Sequence, residues 1–123
     1  MEIYSEGMLC KHFKGMDLYE KNIYRIIKLH IDGRNIDESI ITYTGDGILE
    51  KAKDLVVYAN IFQDNKLFAR EYADIASELS DEKKKLYFQD IKVQPLSTEE
   101  IQIVNNPEFI AKKVELVSKK FKR

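Results

Sequence analysis

Several kinds of residue are scarce in this 123-residue sequence, and each shortage excludes a class of protein. There is one cysteine, Cys10, so the chain cannot form an internal disulfide, which fits a reducing compartment. No apolar run approaches the roughly 18 residues that a membrane-spanning helix needs. The start of the chain lacks the apolar stretch of a secretory signal peptide. We therefore expect a cytoplasmic protein without a membrane partner.

Residues that commonly bind metals or carry catalysis are also few. Cys10, His12 and His30 are the only thiol and imidazole groups, and Asp32 would have to complete a zinc site with them. Side chains two apart on a strand stand about 7 Å apart, too far for Cys10 and His12 to act as nucleophile and base. The Gly-Asp-Gly segment at 45–47 lacks the Lys-Ser or Lys-Thr of a phosphate-binding loop. No catalytic residue, metal or cofactor is predicted.

The composition is that of an ordinary globular domain. Hydrophobic residues make up 44% and charged residues 33%, which suffices for one sizeable core at this length. Residues 106–123 hold six basic and two acidic side chains, whereas the rest of the chain is acidic. A basic tail can contact phosphate polymers. Because its lysines are not interleaved with aromatic residues, a solvated helix face is the favoured interpretation.

The first two thirds of the chain has the pattern of β-strands. Residues 23–31 are rich in β-branched and aromatic residues and stop at Asp32-Gly33, a turn signal. Residues 55–62 form a nearly continuous apolar run, which favours a strand buried on both faces. The polar residues that follow favour an antiparallel hairpin into 67–70. Shorter strand patterns occur at 8–13, 39–44 and 87–93.

The last third has helix signals. Ser97 with Glu100 is a capping box, and Asn106 before Pro107 starts a second helix. Ser80, followed by acids and then lysines, predicts a single helical turn. The last helix has four apolar residues at helical spacing, which predicts a buried stripe, so Val114→Ala is expected to cost about 1–3 kcal/mol. These four residues are Ile110, Val114, Val117 and Phe121.

These elements indicate an α+β protein. A single domain is predicted over 1–123, mainly β at 7–94 and with C-terminal helices at 97–123. A small, curled, mostly antiparallel sheet has too few residues to cover both faces unless it closes, so an SH3-like barrel with the helices at one end is preferred. The alternative is an open antiparallel sheet with the helices across one face. The predicted core is Ile26, Val57, Leu67, Ile110, Val114 and Val117.

Two short motifs carry a resemblance to a known family. One is His-Phe-Lys-Gly at 12–15, and the other is Val-Val-Tyr at 56–58, which leads to Leu-Phe-Ala-Arg at 67–70. In this order, over residues 7–75, the chain resembles a small bacterial family defined only as domain of unknown function 1653. The resemblance implies a shared sheet and no particular activity.

The chain departs from the family's pattern at three places. Residues 32–53 intervene where members have a short acidic turn, Phe68 stands where tryptophan is usual, and Glu71 stands where proline follows the arginine. These departures bear on the ligand surface more than on the sheet, because they alter side chains and a loop next to the second motif.

Polar residues inside these motifs are candidates for a ligand site. Unpaired charges are costly to bury, so such side chains must reach the surface or find partners. On neighbouring strands they would form an aromatic and cationic groove, where Arg70 offers a planar fork to a carboxylate or phosphate and tyrosine offers a flat ring. Alternatively, Arg70 pairs with Glu71 or Asp74, Lys14 is turn surface and Tyr58 is core. The candidate ligand-binding residues are His12, Lys14, Tyr58 and Arg70.

Two functions are compatible with the sequence. The first is a non-catalytic binding module that holds a peptide, a nucleotide or a nucleic-acid segment, as a monomer or a homodimer. The alternative is a small hydrolase or transferase with His12 as general base. A concave pocket with His12 within hydrogen-bond reach of a buried acid would favour the enzyme, whereas a shallow exposed groove lined by Tyr and Arg would favour the module.

Overall fold

A six-stranded sheet organises the protein, as seen in a computed structural model that describes residues 2–37, 42–43 and 54–121. The strand order is β3-β5-β4-β2-β1-β6. Neighbours are antiparallel except for the short β3–β5 pair, which is parallel. The strands are β1 (Leu9–His12), β2 (Ile23–Ile31), β3 (Thr42–Tyr43), β4 (Leu55–Asn60), β5 (Lys66–Glu71) and β6 (Val93–Pro95).

Helices lie between the last two strands and after the last strand along the chain, which makes the fold α+β. None of the described helices is long and apolar enough to cross a membrane. In the described part of the chain the two edge strands, β3 and β6, do not pair, so the sheet is open and the SH3-like barrel is not confirmed. The helices are α1 (Tyr72–Ile75), α2 (Asp81–Tyr87), α3 (Thr98–Val104) and α4 (Pro107–Phe121), with a 3-10 turn at Gly33–Asn35.

Local signals place the helix starts correctly. The Ser97 hydroxyl accepts from the backbone N–H of Glu100 at 3.1 Å, and the Glu100 carboxylate accepts from the backbone N–H of Ser97 at 3.0 Å. The Asn106 side chain accepts from the backbone N–H of Glu108 at 2.8 Å, and Ser80 caps α2. The capping predictions are therefore confirmed.

Strand predictions succeed where the apolar pattern is long. The strand at 23–31 and the antiparallel hairpin formed by β4 and β5 are confirmed. Of the predicted strand at 87–93 only the end forms β structure: Ile91 makes an isolated bridge with Glu78, and Val93 begins β6. Its first residues do not, because α2 continues to Tyr87 and Phe88 ends that helix in a left-handed conformation, with φ +53°. Of the predicted strand at 39–44, residues 42–43 are described as strand, and the others lie outside the described residues.

Both faces of the sheet are covered. The central strand β4 is buried at all six positions, as its apolar run predicts. On one face, Tyr4 and Ile75 pack over the strands. On the other face, Val104 of α3 and Phe109 of α4 pack against Ile23. The C-terminal helices thus lie against one face of the sheet.

The buried face of α4 differs from the predicted one. Ile110 and Val114 are 38% and 49% exposed, so their assignment to the core is wrong. The helix instead buries Phe109 and Lys113, each only 3% exposed. Residues four apart, such as Phe109 and Lys113, lie on the same face of a helix whatever their chemistry. The buried face of α4 therefore includes the ammonium group of Lys113, whose hydrogen-bond partners are distant in sequence.

The remaining core predictions have mixed outcomes. Ile26 and Val57 are buried, as predicted. Leu67 and Val117 are only half-buried, since β5 lies near the edge of the sheet and Val117 lies beyond the contact made by Phe109. The side chain of Phe121 lies outside what the structure describes.

Candidate functional site

A row of rings crosses one face of the sheet and positions the candidate site. His12 at the end of β1 lies 6.3 Å from the Tyr24 ring of β2, measured between centroids. Tyr24 lies 4.6 Å from Tyr58 of β4, and Tyr58 stacks 5.7 Å from Phe68 of β5. Arg70 follows Phe68 by two positions, so its side chain leaves the same face of β5. His12 and Phe68 thus form the two ends of the row, on β1 and β5, and Arg70 lies next to the Phe68 end.

Three adjoining hollows open beside the row of rings, and His12 and Arg70 line all of them. An inner cavity of about 150 Å³ also includes Tyr58. A helix-side hollow of about 630 Å³ extends toward Lys113, and a loop-side hollow of about 420 Å³ extends toward residues 77–83. Lys14 lines both of these outer hollows. The four candidate residues thus border one concave surface, which we name the cationic groove.

The inner cavity is polar and carries positive charge. Arg70 and Lys92 are its charged side chains, and no Asp or Glu is among the described residues that line it. Three amide side chains and two tyrosines supply further hydrogen-bonding groups, and an apolar wall completes the lining. Besides the charged pair and His12, the lining consists of Asn22, Tyr24, Tyr58, Asn60, Gln63, Phe68, Ile75 and Val93.

Arg70 and Lys92 are held together by one carboxylate. Arg70 donates from Nη1 to Oδ2 of Asp74 at 3.0 Å, and Lys92 donates to both Asp74 oxygens at 3.0 and 3.2 Å. Burial raises the Asp74 pKa, but hydrogen bonds from Lys92 and Arg70 outweigh it, so the pKa lies below its usual value. Burial opposes the charge of Arg70, but its interactions with Asp74 and Tyr58 outweigh that effect, so the pKa of the guanidinium lies above its usual value. The Arg70–Asp74 pair anticipated from the sequence is present, and it engages only part of the guanidinium's donor set.

His12 is a neutral imidazole in this setting. Burial, followed by the charges of Lys92, Lys14 and Arg70, lowers its pKa to about 4. Its Nδ1 accepts a hydrogen bond from the backbone N–H of Lys14 at 3.3 Å. The ring proton of the neutral form is therefore assigned to Nε2. In this tautomer His12 offers a hydrogen-bond donor at Nε2.

The loop after β1 carries Lys14 and is held by a buried lysine. Lys21 donates from Nζ to the carbonyl oxygens of Phe13 at 2.6 Å and Gly15 at 2.8 Å. Gly15 has φ +106°, and a Cβ there would stand 2.9 Å from the backbone of Glu20. A side chain at position 15 would therefore force the loop open. This packing sets the position of Lys14 at the edge of the groove.

A second buried lysine ties the same loop to α4. Lys113 donates from Nζ to the carbonyl oxygens of Leu18 at 3.1 Å, Tyr19 at 2.5 Å and Lys21 at 2.5 Å. Tyr19 also stacks on Phe109, with ring centroids 4.6 Å apart. The wall of the helix-side hollow is thus built jointly by the loop and by α4.

Sequence reasoning missed several groove residues. Tyr24 lies in the most strongly predicted strand, and its place beside Tyr58 follows once β2 and β4 are known to pair. Lys92 and Lys113 gave no sequence signal, because a lysine next to apolar residues is usually solvent-exposed. Only the tertiary contacts with Asp74 and with loop carbonyls distinguish them.

The other thiol and imidazole candidates lie elsewhere. Both ring nitrogens of His30 face carboxylates: Nε2 contacts Glu2, and Nδ1 lies 2.8 Å from Oδ1 of Asp54. Hydrogen bonds to Glu2 and Asp54 raise the pKa of this imidazole. Its ring stacks on Tyr72. Across residues 2–37, 42–43 and 54–121 no group of three or more His, Cys, Asp or Glu side chains is arranged to hold a metal.

Cys10 is fully buried under the ring row, and burial raises its pKa to about 12. We expect the native protein to react with a thiol reagent only through opening of the fold, so its labelling rate at neutral pH should rise steeply with denaturant. The rate of modification by a chromogenic disulfide measures this. Fast stoichiometric labelling without denaturant would show that the thiol is accessible.

Searches of protein-family models, of curated proteins and of solved structures find no match to this chain. The resemblance of its two motifs to domain of unknown function 1653 therefore stays a prediction.

Proposed function

We propose that this protein is a non-catalytic binding module that holds an anionic ligand in the cationic groove. One observation carries the proposal: His12 and Arg70 line three adjoining hollows, with Lys14 in two of them and Tyr58 in the innermost. A guanidinium on a rigid strand suits a carboxylate or phosphate, because its planar N–H groups match two oxygens at once. Peptides, nucleotides and nucleic acids all present such groups.

The aromatic residues support this module in a different way from the one predicted. Tyr58 is only 5% exposed and packs against the rings of Tyr24 and Phe68. It therefore has no free ring face on which a base or side chain could stack. Its contribution is to stabilise the charged form of Arg70 and to line the inner cavity.

The geometry does not favour an enzyme with His12 as general base. The Nδ1 atom is occupied by the Lys14 backbone N–H, and a pKa of about 4 makes the imidazole a weak proton acceptor. In the part of the chain that the structure describes, no carboxylate hydrogen-bonds His12 to orient it or raise its basicity. Neutral His12, as a hydrogen-bond donor in the cationic groove, is therefore better suited to binding an anion than to abstracting a proton.

Arg70→Lys tests the proposal. The variant keeps the charge but loses the fork, so affinity for an anionic ligand should fall about 10-fold or more. Its melting temperature should change little, because the half-exposed pair with Asp74 is worth at most about 1 kcal/mol. A thermal-shift screen of nucleotides, acidic peptides and oligonucleotides would identify the ligand, and calorimetric titration of both proteins would then compare affinities.

Arg34→Lys is the matched control, because Arg34 is 78% exposed, lies outside the groove and, among the described residues, forms its ion pair with Asp32 two positions earlier. It should leave affinity unchanged. If Arg70→Lys lowers stability while its ligand affinity equals that of the wild type, Arg70 is a scaffold residue and the site is wrong.

A further inference from the structure

We propose that the inner cavity receives the terminal phosphate of a phosphomonoester in its dianionic form, while the rest of the ligand lies in the outer hollows. This inference rests on the proposed function and names its ligand class. Three features of the groove carry it: the size of the inner cavity, the excess of positive charge around it, and the number and kind of its hydrogen-bond donors.

The inner cavity fits an end group and not a whole ligand. At about 150 Å³ it holds several times the volume of a water molecule, about 30 Å³, but falls short of the roughly 300–1,000 Å³ typical of sites for whole small molecules. The outer hollows are each larger. His12 and Arg70 border all three spaces and therefore mark a common mouth. An end group enters the inner cavity through this mouth, and the rest of the bound ligand extends from it into the outer hollows.

The charge around this mouth matches a dianion. The three hollows are lined by two acids, Glu20 and Glu78, and by five cations, Lys14, Arg70, Lys83, Lys92 and Lys113. Asp74, which binds Arg70 and Lys92, adds a third negative charge, so the set has an excess of two positive charges. Neutral His12 adds none. A phosphomonoester carries about −1.5 to −2 near neutral pH. A carboxylate or a phosphodiester carries a single negative charge and would leave positive charge uncompensated in a partly buried site.

The donors exceed what a carboxylate can use. Arg70, Lys92, His12, Asn22 and Tyr24 all line the cavity, and each carries at least one hydrogen-bond donor. Two carboxylate oxygens lie in one plane, whereas the three terminal oxygens of a phosphate point in three directions and accept more bonds. Donors that surround the space on several sides therefore fit a tetrahedral group.

Isothermal titration with four probes tests this inference: phenyl phosphate, its methyl diester, benzoate and sulfate. At pH 7.5 phenyl phosphate should bind at least 10-fold more tightly than the diester or benzoate. Between pH 5.5 and 7.5 its affinity should rise several-fold, because its second ionisation lies near 6, whereas sulfate, a dianion throughout, should change little. A cationic His12 would instead make sulfate affinity fall over this range, and that result would overturn the charge assignment.

Two variants connect the binding to the inner cavity. Asn22→Asp places a negative charge in the lining at an exposed, isosteric position and should reduce phenyl phosphate affinity at least 10-fold. Lys92→Met should do the same, and Lys28→Met, at an exposed position on β2, should not. If benzoate or the diester binds as tightly as phenyl phosphate, the phosphomonoester inference is overturned and the anion-binding module stands. If no anion binds, both are overturned.

Discussion

Phe109→Ala is expected to lower the free energy of unfolding by about 3–5 kcal/mol. Phe109 is 3% exposed and packs between the Tyr19 ring at 4.6 Å and the Phe62 ring at 6.1 Å, under the face of the sheet that includes Ile23. Removing the ring deletes a large buried apolar surface and leaves a cavity that the rigid sheet cannot fill by relaxing. Urea denaturation followed by circular dichroism measures the loss.

Val114→Ala is the matched control on the same helix. Val114 is 49% exposed, so its truncation should change the free energy of unfolding by only about 0.5 kcal/mol. This replaces the larger loss expected from the apolar stripe alone. The two variants thus distinguish the two faces of α4: a larger loss for Val114→Ala than for Phe109→Ala would show that the helix packs through Ile110 and Val114.

Lys113→Met is expected to cost about 2–4 kcal/mol of unfolding free energy. The methionine side chain fills a similar volume, but three carbonyl oxygens of the loop at 18–21 lose their charged donor and stay largely buried. The loss should be accompanied by faster amide hydrogen exchange in this loop, because Lys113 is the contact that ties its backbone to α4. Chemical denaturation and exchange followed by mass spectrometry measure the two effects.

Lys119→Met provides the comparison, since Lys119 is 72% exposed and forms only a surface pair with Glu115 on the same helix. Its stability change should be about 0.5 kcal/mol or less. Replacing a buried charge by an apolar group need not lower the free energy of unfolding if the groups that it bound can move into contact with solvent. Equal stability of the Lys113 and Lys119 variants would therefore indicate that the loop rearranges, and that Lys113 does not set the wall of the helix-side hollow.

Much of the secondary structure follows from the sequence, because its causes are local. Ser97 and Glu100 satisfy each other's backbone groups within one turn, so three residues are enough to start α3. The strand at 23–31 and the hairpin between β4 and β5 likewise depend on neighbours along the chain. The central strand β4 could be assigned to the interior from its continuous apolar run, since such a run has no polar face for water.

Tertiary structure decided which face of α4 is buried and which residues line the cationic groove. Helical spacing alone allows Ile110 and Val114 to face the core, and only the carbonyls of a loop some ninety residues earlier make Lys113 the better buried residue. His12, Arg70 and the Arg70–Asp74 pair could be picked out as candidates, but Lys92 joins them only because the fold brings the segment before β6 next to α1. The local sequence pattern indicates which structure each residue favours, and long-range contacts decide which of these structures form together. The free energy of burying a charge depends on its partners, which sequence spacing does not reveal.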